Sequence, residues 1–277
     1  MEAFDYAVAD RVVLPPAEEP WCTERVLRLD GSYLAFGVSY RVPEVALPPS
    51  SRGQPFTFGC LAPQYKISPA VVAVFARILV RAPHSRLLLR NVCLDDVGNR
   101  AAIRRQFTRL GVKAAQLRLE GFAHHYSFLK TYDRIDVALD TFPYSGGTTT
   151  MEALWQGVPI LALAGDRWVA RIAASLLQAA GLGEWVLPNR SEFIRRAVQL
   201  ASSAAEAERL FGLRATMRRK LAASAACQSG SLCRQLEGHY RAIARRPVTR
   251  SRSRPFSQPP QNEAARAGAG ARAGGLL

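Results

Sequence analysis

Cysteine is scarce and unpatterned in this chain. The five cysteines are an odd number and none belongs to a Cys-x-x-Cys pair. That argues against a disulfide-stapled secreted scaffold and a paired-cysteine zinc site, and it fits reduced thiols in a cytosol. Long apolar runs are missing as well. No run approaches the roughly 20 residues of a membrane-spanning helix, and Val71 to Val80 is interrupted by Arg77. The first residues, Met1-Glu2-Ala3-Phe4-Asp5, are acidic and contain no apolar stretch, so no signal peptide is visible. These absences set the expectation of a cytoplasmic protein without a membrane span.

Acidic residues are the other shortage: 22 Asp and Glu stand against 37 Lys and Arg, a formal net charge of +15. Such an excess invites a nucleic-acid reading. Its distribution argues for a solvated basic surface instead. Residues 246–277 carry six arginines and one glutamate, a net +5, which leaves +10 on the rest, much of it isolated arginines on helices. A nucleic-acid-associated protein stays open as the lesser alternative. Residues 246–277 are mostly Pro, Ser, Arg, Ala and Gly. They cannot bury enough surface to offset their ordering entropy, and are expected to be a disordered basic tail.

What is present is enough for a large core. The chain has 277 residues, 48% of them hydrophobic, which suits one large domain or two small ones. The most informative stretch runs from Asp136 to Pro159. Ile135 to Leu139 is short and apolar, as in a buried parallel strand. Gly146-Gly147 permits a tight turn, and Thr148-Thr149-Thr150 opens a helix carrying Met151, Leu154 and Trp155 on one side. Gly157 and Pro159 end that helix. Unpaired N–H groups and the helix dipole at such a turn both favour an anion, which makes it a candidate phosphate cradle. Glu152, one turn in, could accept from ribose hydroxyls. A threonine-capped glycine turn with no ligand has the same local pattern; the preceding strand, the three threonines and Glu152 favour the ligand.

Around this stretch, strand and helix alternate from Phe56 onward. Strands are expected at Phe56–Leu61, Arg86–Leu89, Gln116–Leu119, Ile135–Leu139, Ile160–Leu163 and Trp185–Leu187. Helices are expected at Pro69–Arg81 behind Ser68, at Asp96–Leu110, His124–Tyr132 and Arg167–Ala180, then at Ser191–Ala201, Ala204–Ala223 and Ser229–Ala244. This is the pattern of an α/β fold, a Rossmann-like doubly wound parallel sheet with C-terminal helices, whose ligands lie beyond the carboxyl ends of the strands. Lys66, in Pro63-Gln64-Tyr65-Lys66-Ile67, follows the first of these strands and therefore belongs to the same edge as Gly147. It reads as a diphosphate partner, with an ordinary exposed loop lysine as the alternative. His124 and His125 are adjacent rather than at ligand spacing and lack a carboxylate cluster, so no metal is expected.

Leu139-Asp140-Thr141-Phe142-Pro143-Tyr144-Ser145-Gly146-Gly147-Thr148-Thr149-Thr150-Met151-Glu152-Ala153-Leu154-Trp155-Gln156-Gly157 resembles the nucleotide-sugar signature of the O-linked N-acetylglucosamine transferase family. The likeness is strongest to its bacterial, Spindly-like members, which are two-lobed glycosyltransferases of the GT-B type. The resemblance implies the carboxy-terminal catalytic lobe. Residues 1–51 would be a remnant of the amino-terminal lobe with the interlobe connector, 52–245 the nucleotide-sugar-binding lobe, and 246–277 the tail. No tetratricopeptide repeat of the 34-residue type is visible.

By the same resemblance, Lys66 stabilises the departing diphosphate and is the catalytic candidate. Gln64, Ala123, His125, Phe128, Lys130, Gly146, Gly147, Thr148, Thr149 and Glu152 join it in binding the nucleotide sugar. Gln64 is two residues before the lysine, where the human-type pattern has glutamine three before. Phe128 replaces a usual histidine and could stack on a base but not hydrogen-bond to it. The implied reaction is an inverting, metal-independent transfer from UDP-N-acetylglucosamine to Ser or Thr of a protein acceptor. GDP-fucose and UDP-glucose are alternative donors, and a non-catalytic nucleotide-sugar-binding fragment is an alternative role. The histidine-bearing segments of the amino-terminal lobe have no match here, so the implied enzyme is inactive alone and completed by a missing lobe or a repeat-containing chain in trans.

Overall fold

The structure is a computed structural model and describes residues 4–245; the expected disordered tail lies outside the described residues. Strands β3 (Thr57–Cys60), β4 (Arg86–Arg90), β5 (Leu117–Glu120), β6 (Val137–Leu139), β7 (Ile160–Leu163) and β8 (Val186–Leu187) form one sheet in the order β5-β4-β3-β6-β7-β8. Every pairing in it is parallel. Continuous apolar runs explain why these segments lie in the middle of the molecule. Phe58, Leu87, Leu88, Leu89, Val137, Leu139 and Leu161 are all buried, as strands covered on both faces require. Gly59 lets β3 and β6 approach, because a Cβ there would overlap the Ile135 side chain, 2.7 Å from its Cγ1.

The helices are α1 (Pro69–Arg81), α2 (Val97–Arg109), α3 (His125–Leu129), α4 (Thr148–Trp155), α5 (Ile172–Ala179), α6 (Arg190–Ser202), α7 (Ala204–Ala223) and α8 (Ser229–Ala244). Local chemistry fixes several of their starts. The Ser68 side chain accepts from Val71 N with Pro69 at the first helical position, and the Asp96 side chain accepts from Asn99 N. The neighbouring Asp95 accepts from Phe122 N at 3.0 Å through its Oδ1, which ties the segments after β4 and β5 together.

One expected helix, Arg167–Ala180, is divided. A 3₁₀ turn covers Trp168–Ala170 and α5 begins only at Ile172. The cause is Ser145. In a continuous helix Ala173 N would donate to Val169 O, four residues back. Ser145 Oγ instead accepts from Ala173 N at 3.2 Å and donates to Val169 O at 3.0 Å, and Ser145 N also donates to Val169 O, at 3.1 Å. The loop after β6 is thereby stitched into the start of α5.

Residues before the sheet pack onto it from outside. β1 (Tyr6–Ala9) and β2 (Arg25–Arg28) pair in parallel as a separate two-stranded sheet. Asp10, fully buried, accepts from Val12 N, Val13 N, Tyr33 N and Ser175 Oγ. Arg171 holds Glu18 through two bonds of 2.7 and 2.6 Å. These contacts fasten the segment to α5. The connector then crosses the helices, where Arg218 donates to Pro43 O, and reaches the sheet where Ser50 donates to Asp136. Arg214 on α7 is 2% exposed and donates to Ile135 O and Tyr132 O; burial lowers its guanidinium to about 10.

The cysteines lie apart from one another. Cys60 is buried in β3, where burial pushes its thiol up to about 12. Cys93 and Cys233 are exposed, and Cys22 and Cys227 are half-buried, with burial raising both thiols.

Candidate functional site

The strand order reverses between β3 and β6, which diverge outward to β5 and to β8. In an open α/β sheet, ligands bind in the crevice beyond the carboxyl ends of the strands at such a switch point. Lys66 lies just beyond β3 and the glycine turn lies beyond β6, so the two loops that the sequence singled out flank this crevice. Lys66 Nζ donates to Ser145 O at 2.8 Å and stands 3.7 Å from the centroid of the Tyr144 ring. Desolvation lowers the Lys66 ammonium, an effect that Asp140 and Cys60 oppose. Tyr65 and Tyr144, both exposed, flank the lysine with ring centroids 6.0 Å apart.

The glycine turn differs from the simple cradle in one respect. Gly146 N is not free, because it donates to Asp140 Oδ1 at 2.7 Å. Gly146 serves by its missing side chain: a Cβ there would overlap Thr150 Oγ1 and sit 3.1 Å from Asp140 Oδ1. The cradle is therefore left to Gly147 and to the start of α4, at Thr148 and Thr149. Thr148 is exposed and Thr149 half-buried. Tyr132 Oη supports the turn from beneath by donating to Thr149 O at 3.0 Å.

Glu152 and His125 form a pair across 27 residues of sequence, with His125 Nε2 at 2.8 Å from Glu152 Oε1. Burial raises the Glu152 carboxyl and the histidine bond opposes that rise. The Tyr40 ring packs edge-on against His125 with centroids 4.7 Å apart, which brings the connector to this end of the crevice. Phe128 is half-buried and turns against Tyr132 at 6.3 Å. Ala123 is half-buried after β5, and exposed Lys130 lies 5.8 Å from the centroid of the Tyr126 ring. Gln64 Oε1 accepts from Asn91 Nδ2 at 3.2 Å, joining the loops after β3 and β4.

Asp140, Ser145, Tyr40 and Tyr144 were not among the expected site residues. Asp140 is the most unusual of them. It follows β6 directly, it is buried, and its Oδ2 has no hydrogen-bond partner among the described residues. Burial pushes its carboxyl up to about 7, against the pull of the Gly146 and Thr141 N–H groups and of Lys66. The folded state therefore favours the protonated acid, so this group's stabilising contribution is full below the ordinary carboxylate range and is lost as pH rises toward 7. Asp140→Asn imitates the protonated form. Its stability relative to the native chain, read from melting curves, should climb between about pH 4 and pH 7 by up to about 1.4 kcal/mol per pH unit and level off above pH 7. A difference that stays flat across that range would contradict the assignment.

Among the described residues no group of three or more His, Cys, Asp or Glu is placed to hold a metal ion, and no helix is long and apolar enough to cross a membrane.

Comparison with known proteins places this chain in a family. The model of glycosyl transferase family 41 matches residues 54–236. A probable UDP-N-acetylglucosamine–peptide N-acetylglucosaminyltransferase SPINDLY from Solanum lycopersicum is 33% identical over 250 residues, which are 89% of this chain and 26% of that protein. The SPINDLY protein of Arabidopsis thaliana is 33% identical, over 87% of this chain and 26% of its own length. The chain thus spans about a quarter of the length of the curated relatives it matches. Among solved structures, an O-GlcNAc transferase variant from Thermobaculum terrenum superposes with a TM-score of 0.74 at 35% identity, over 87% of this chain and 45% of that one.

Proposed function

Because the chain belongs to glycosyl transferase family 41, we propose that residues 52–245 form the donor-binding lobe of a protein glycosyltransferase. The donor in this reading is UDP-N-acetylglucosamine, and the sugar passes with inversion to a Ser or Thr hydroxyl. Residues 1–51 serve as the edge of the partner lobe and the crossing between lobes. The observation that carries the proposal is the meeting of Lys66 with the glycine turn at the sheet's switch point. The names of the SPINDLY relatives, with their UDP-N-acetylglucosamine, suggest the sugar nucleotide.

Each residue then has a task. The N–H groups at the start of α4 and the Thr148 and Thr149 hydroxyls receive the diphosphate. Lys66 leaves Ser145 O to meet the charge that grows on the departing phosphate, where a preorganised donor contributes most. His125 and Glu152 define the nucleoside end, with the carboxylate available to ribose hydroxyls. The positive charge needed at the leaving group comes from the chain itself. Orienting the acceptor hydroxyl belongs to the facing lobe, so these residues alone bind donor without appreciable transfer.

Titration calorimetry of the full chain with UDP tests this. Saturable one-site binding is expected that changes little between 50 and 200 mM salt, unlike a multi-phosphate nucleic-acid contact, which would lose orders of magnitude over that range. Removing both hydroxyls in Thr148→Ala/Thr149→Ala should weaken it about tenfold. Tighter binding of GDP than of UDP would overturn the base assignment, and no binding of either would overturn the donor-lobe reading.

A further inference from the structure

A second concave site lies at the opposite end of the strands. A cavity of about 400 Å³ is lined by Thr57, Arg86, Leu88 and Arg118 from the sheet, by Pro49, Arg52 and Gln54 from the connector, and by Arg134. The strand register explains why the sheet residues share one face. Thr57 is paired with Arg86 and Leu88 with Arg118, and Arg86 and Leu88 are two apart on β4. No α-helix contributes to the lining. The crossover from β5 to β6, which in a doubly wound sheet would normally carry a covering helix, has only the five residues of α3 and the 3₁₀ turn Lys130–Arg134.

The lining holds four guanidinium groups and no carboxylate. Two are committed in part: Arg134 binds Glu120 through two bonds of 2.6 Å, and Arg52 Nη2 donates to Asp133 O at 2.6 Å. The other two, Arg86 and Arg118, have no side-chain hydrogen-bond or ion-pair partner among the described residues. Arg86 is half-buried and Arg118 exposed, so both forks are open to a ligand entering from solvent. Gathering like charges around one cavity is unfavourable unless an anion sits between them, and guanidinium forks match phosphate oxygens bidentately. The volume is that of a small-molecule pocket.

We propose that this cavity is a binding site for a small polyphosphate anion, held between Arg86 and Arg118 with Arg52 and Arg134 at its rim. It is separate from the donor crevice: Thr57 and Arg86 begin β3 and β4, and no lining residue belongs to the Lys66 loop, the glycine turn or α4 beyond the carboxyl ends.

The test uses the full chain and pyrophosphate as the probe, at 150 mM salt to suppress loose association with other surface arginines. Binding is measured by calorimetry in a Lys66→Ala/Thr148→Ala/Thr149→Ala background, which removes the side-chain diphosphate partners of the donor crevice. Arg86→Gln/Arg118→Gln added to that background should reduce affinity at least tenfold. Hydrogen exchange on pyrophosphate addition should slow at 86–90, at 117–120 and in the connector around 49–54, a readout that needs no variant. Affinity unchanged by Arg86→Gln/Arg118→Gln would overturn the site, as would slowed exchange confined to 144–149. An RNA oligonucleotide that binds more tightly than pyrophosphate through the same two arginines would overturn the small-ligand assignment. If the glutamine pair lowers the melting temperature, Arg86→Lys/Arg118→Lys keeps the charge and loses the forks, and should still weaken pyrophosphate severalfold.

Discussion

Lys66→Ala should lower sugar transfer by two to three orders of magnitude when the chain is fused to an amino-terminal lobe of the family. One donor aimed at a developing oxyanion is worth roughly 3–4 kcal/mol, or about a hundredfold to a thousandfold in rate. UDP affinity should fall by much less, because the start of α4 still holds the diphosphate. The division between the two effects is the informative part. Loss of transfer with modest loss of binding marks an interaction made chiefly in the transition state, whereas equal losses mark uniform binding. Lys66→Arg should recover only part of the rate, since the longer, planar group cannot occupy the place between Ser145 O and the Tyr144 ring. Single-turnover transfer to a Ser/Thr peptide beside UDP calorimetry measures both quantities. Transfer unaffected by Lys66→Ala would assign the leaving group to another residue.

Gly146→Ala is expected to abolish measurable UDP binding and to destabilise the fold by about 1–3 kcal/mol, the usual cost of overpacking a tight site. The added methyl group would overlap Thr150 Oγ1 and press on Asp140 Oδ1. The turn has little room to yield, because Ser145 next to it is held by Val169 O and Ala173 N, and Gly146 N by Asp140. Gly147→Ala provides the contrast. A Cβ there meets only Ile172 Cγ2, at 3.7 Å, an ordinary contact, so that variant should melt close to the native temperature. Equal melting curves for both variants, with UDP binding intact in Gly146→Ala, would show that the turn is looser than its contacts imply.

The parts of the molecule set by neighbours in sequence were legible before the structure. Ser68-Pro69 marks the start of α1, the threonines mark α4, and the apolar run Ile160–Leu163 coincides with β7. Placing Lys66 and Gly147 at one edge followed from strand–helix alternation alone, because every parallel strand presents its carboxyl end on the same side. Contacts between distant segments were not legible. Nothing local to residues 167–173 reveals that Ser145 will enter the helix and delay its start. Asp140 looks like the polar end of a strand until the turn folds back over it, and only then does one oxygen gain Gly146 N while the other is left unpaired. The His125–Glu152 pair likewise depends on α3, which follows β5, meeting α4, which follows β6, although β4 and β3 separate those two strands in the sheet. Gly146 shows the same limit from the other side: its residue type suggested an open N–H, but the fold uses its lack of a side chain.

The uneven placement of the cysteines suits the chain to site-selective labelling. A maleimide dye reaches Cys93 and Cys233 on the surface, whereas Cys60 is sealed inside β3 with its thiol held far from ionisation. Cys93 is two residues past Asn91, whose amide reaches Gln64 in the Lys66 loop, so a fluorophore there borders the mouth of the crevice. Cys233 rides on α8, a helix with no buried residue, so Cys233→Ser leaves Cys93 as the exposed thiol among the described residues. Occupancy of the strand ends can thus be followed optically from a dye on Cys93.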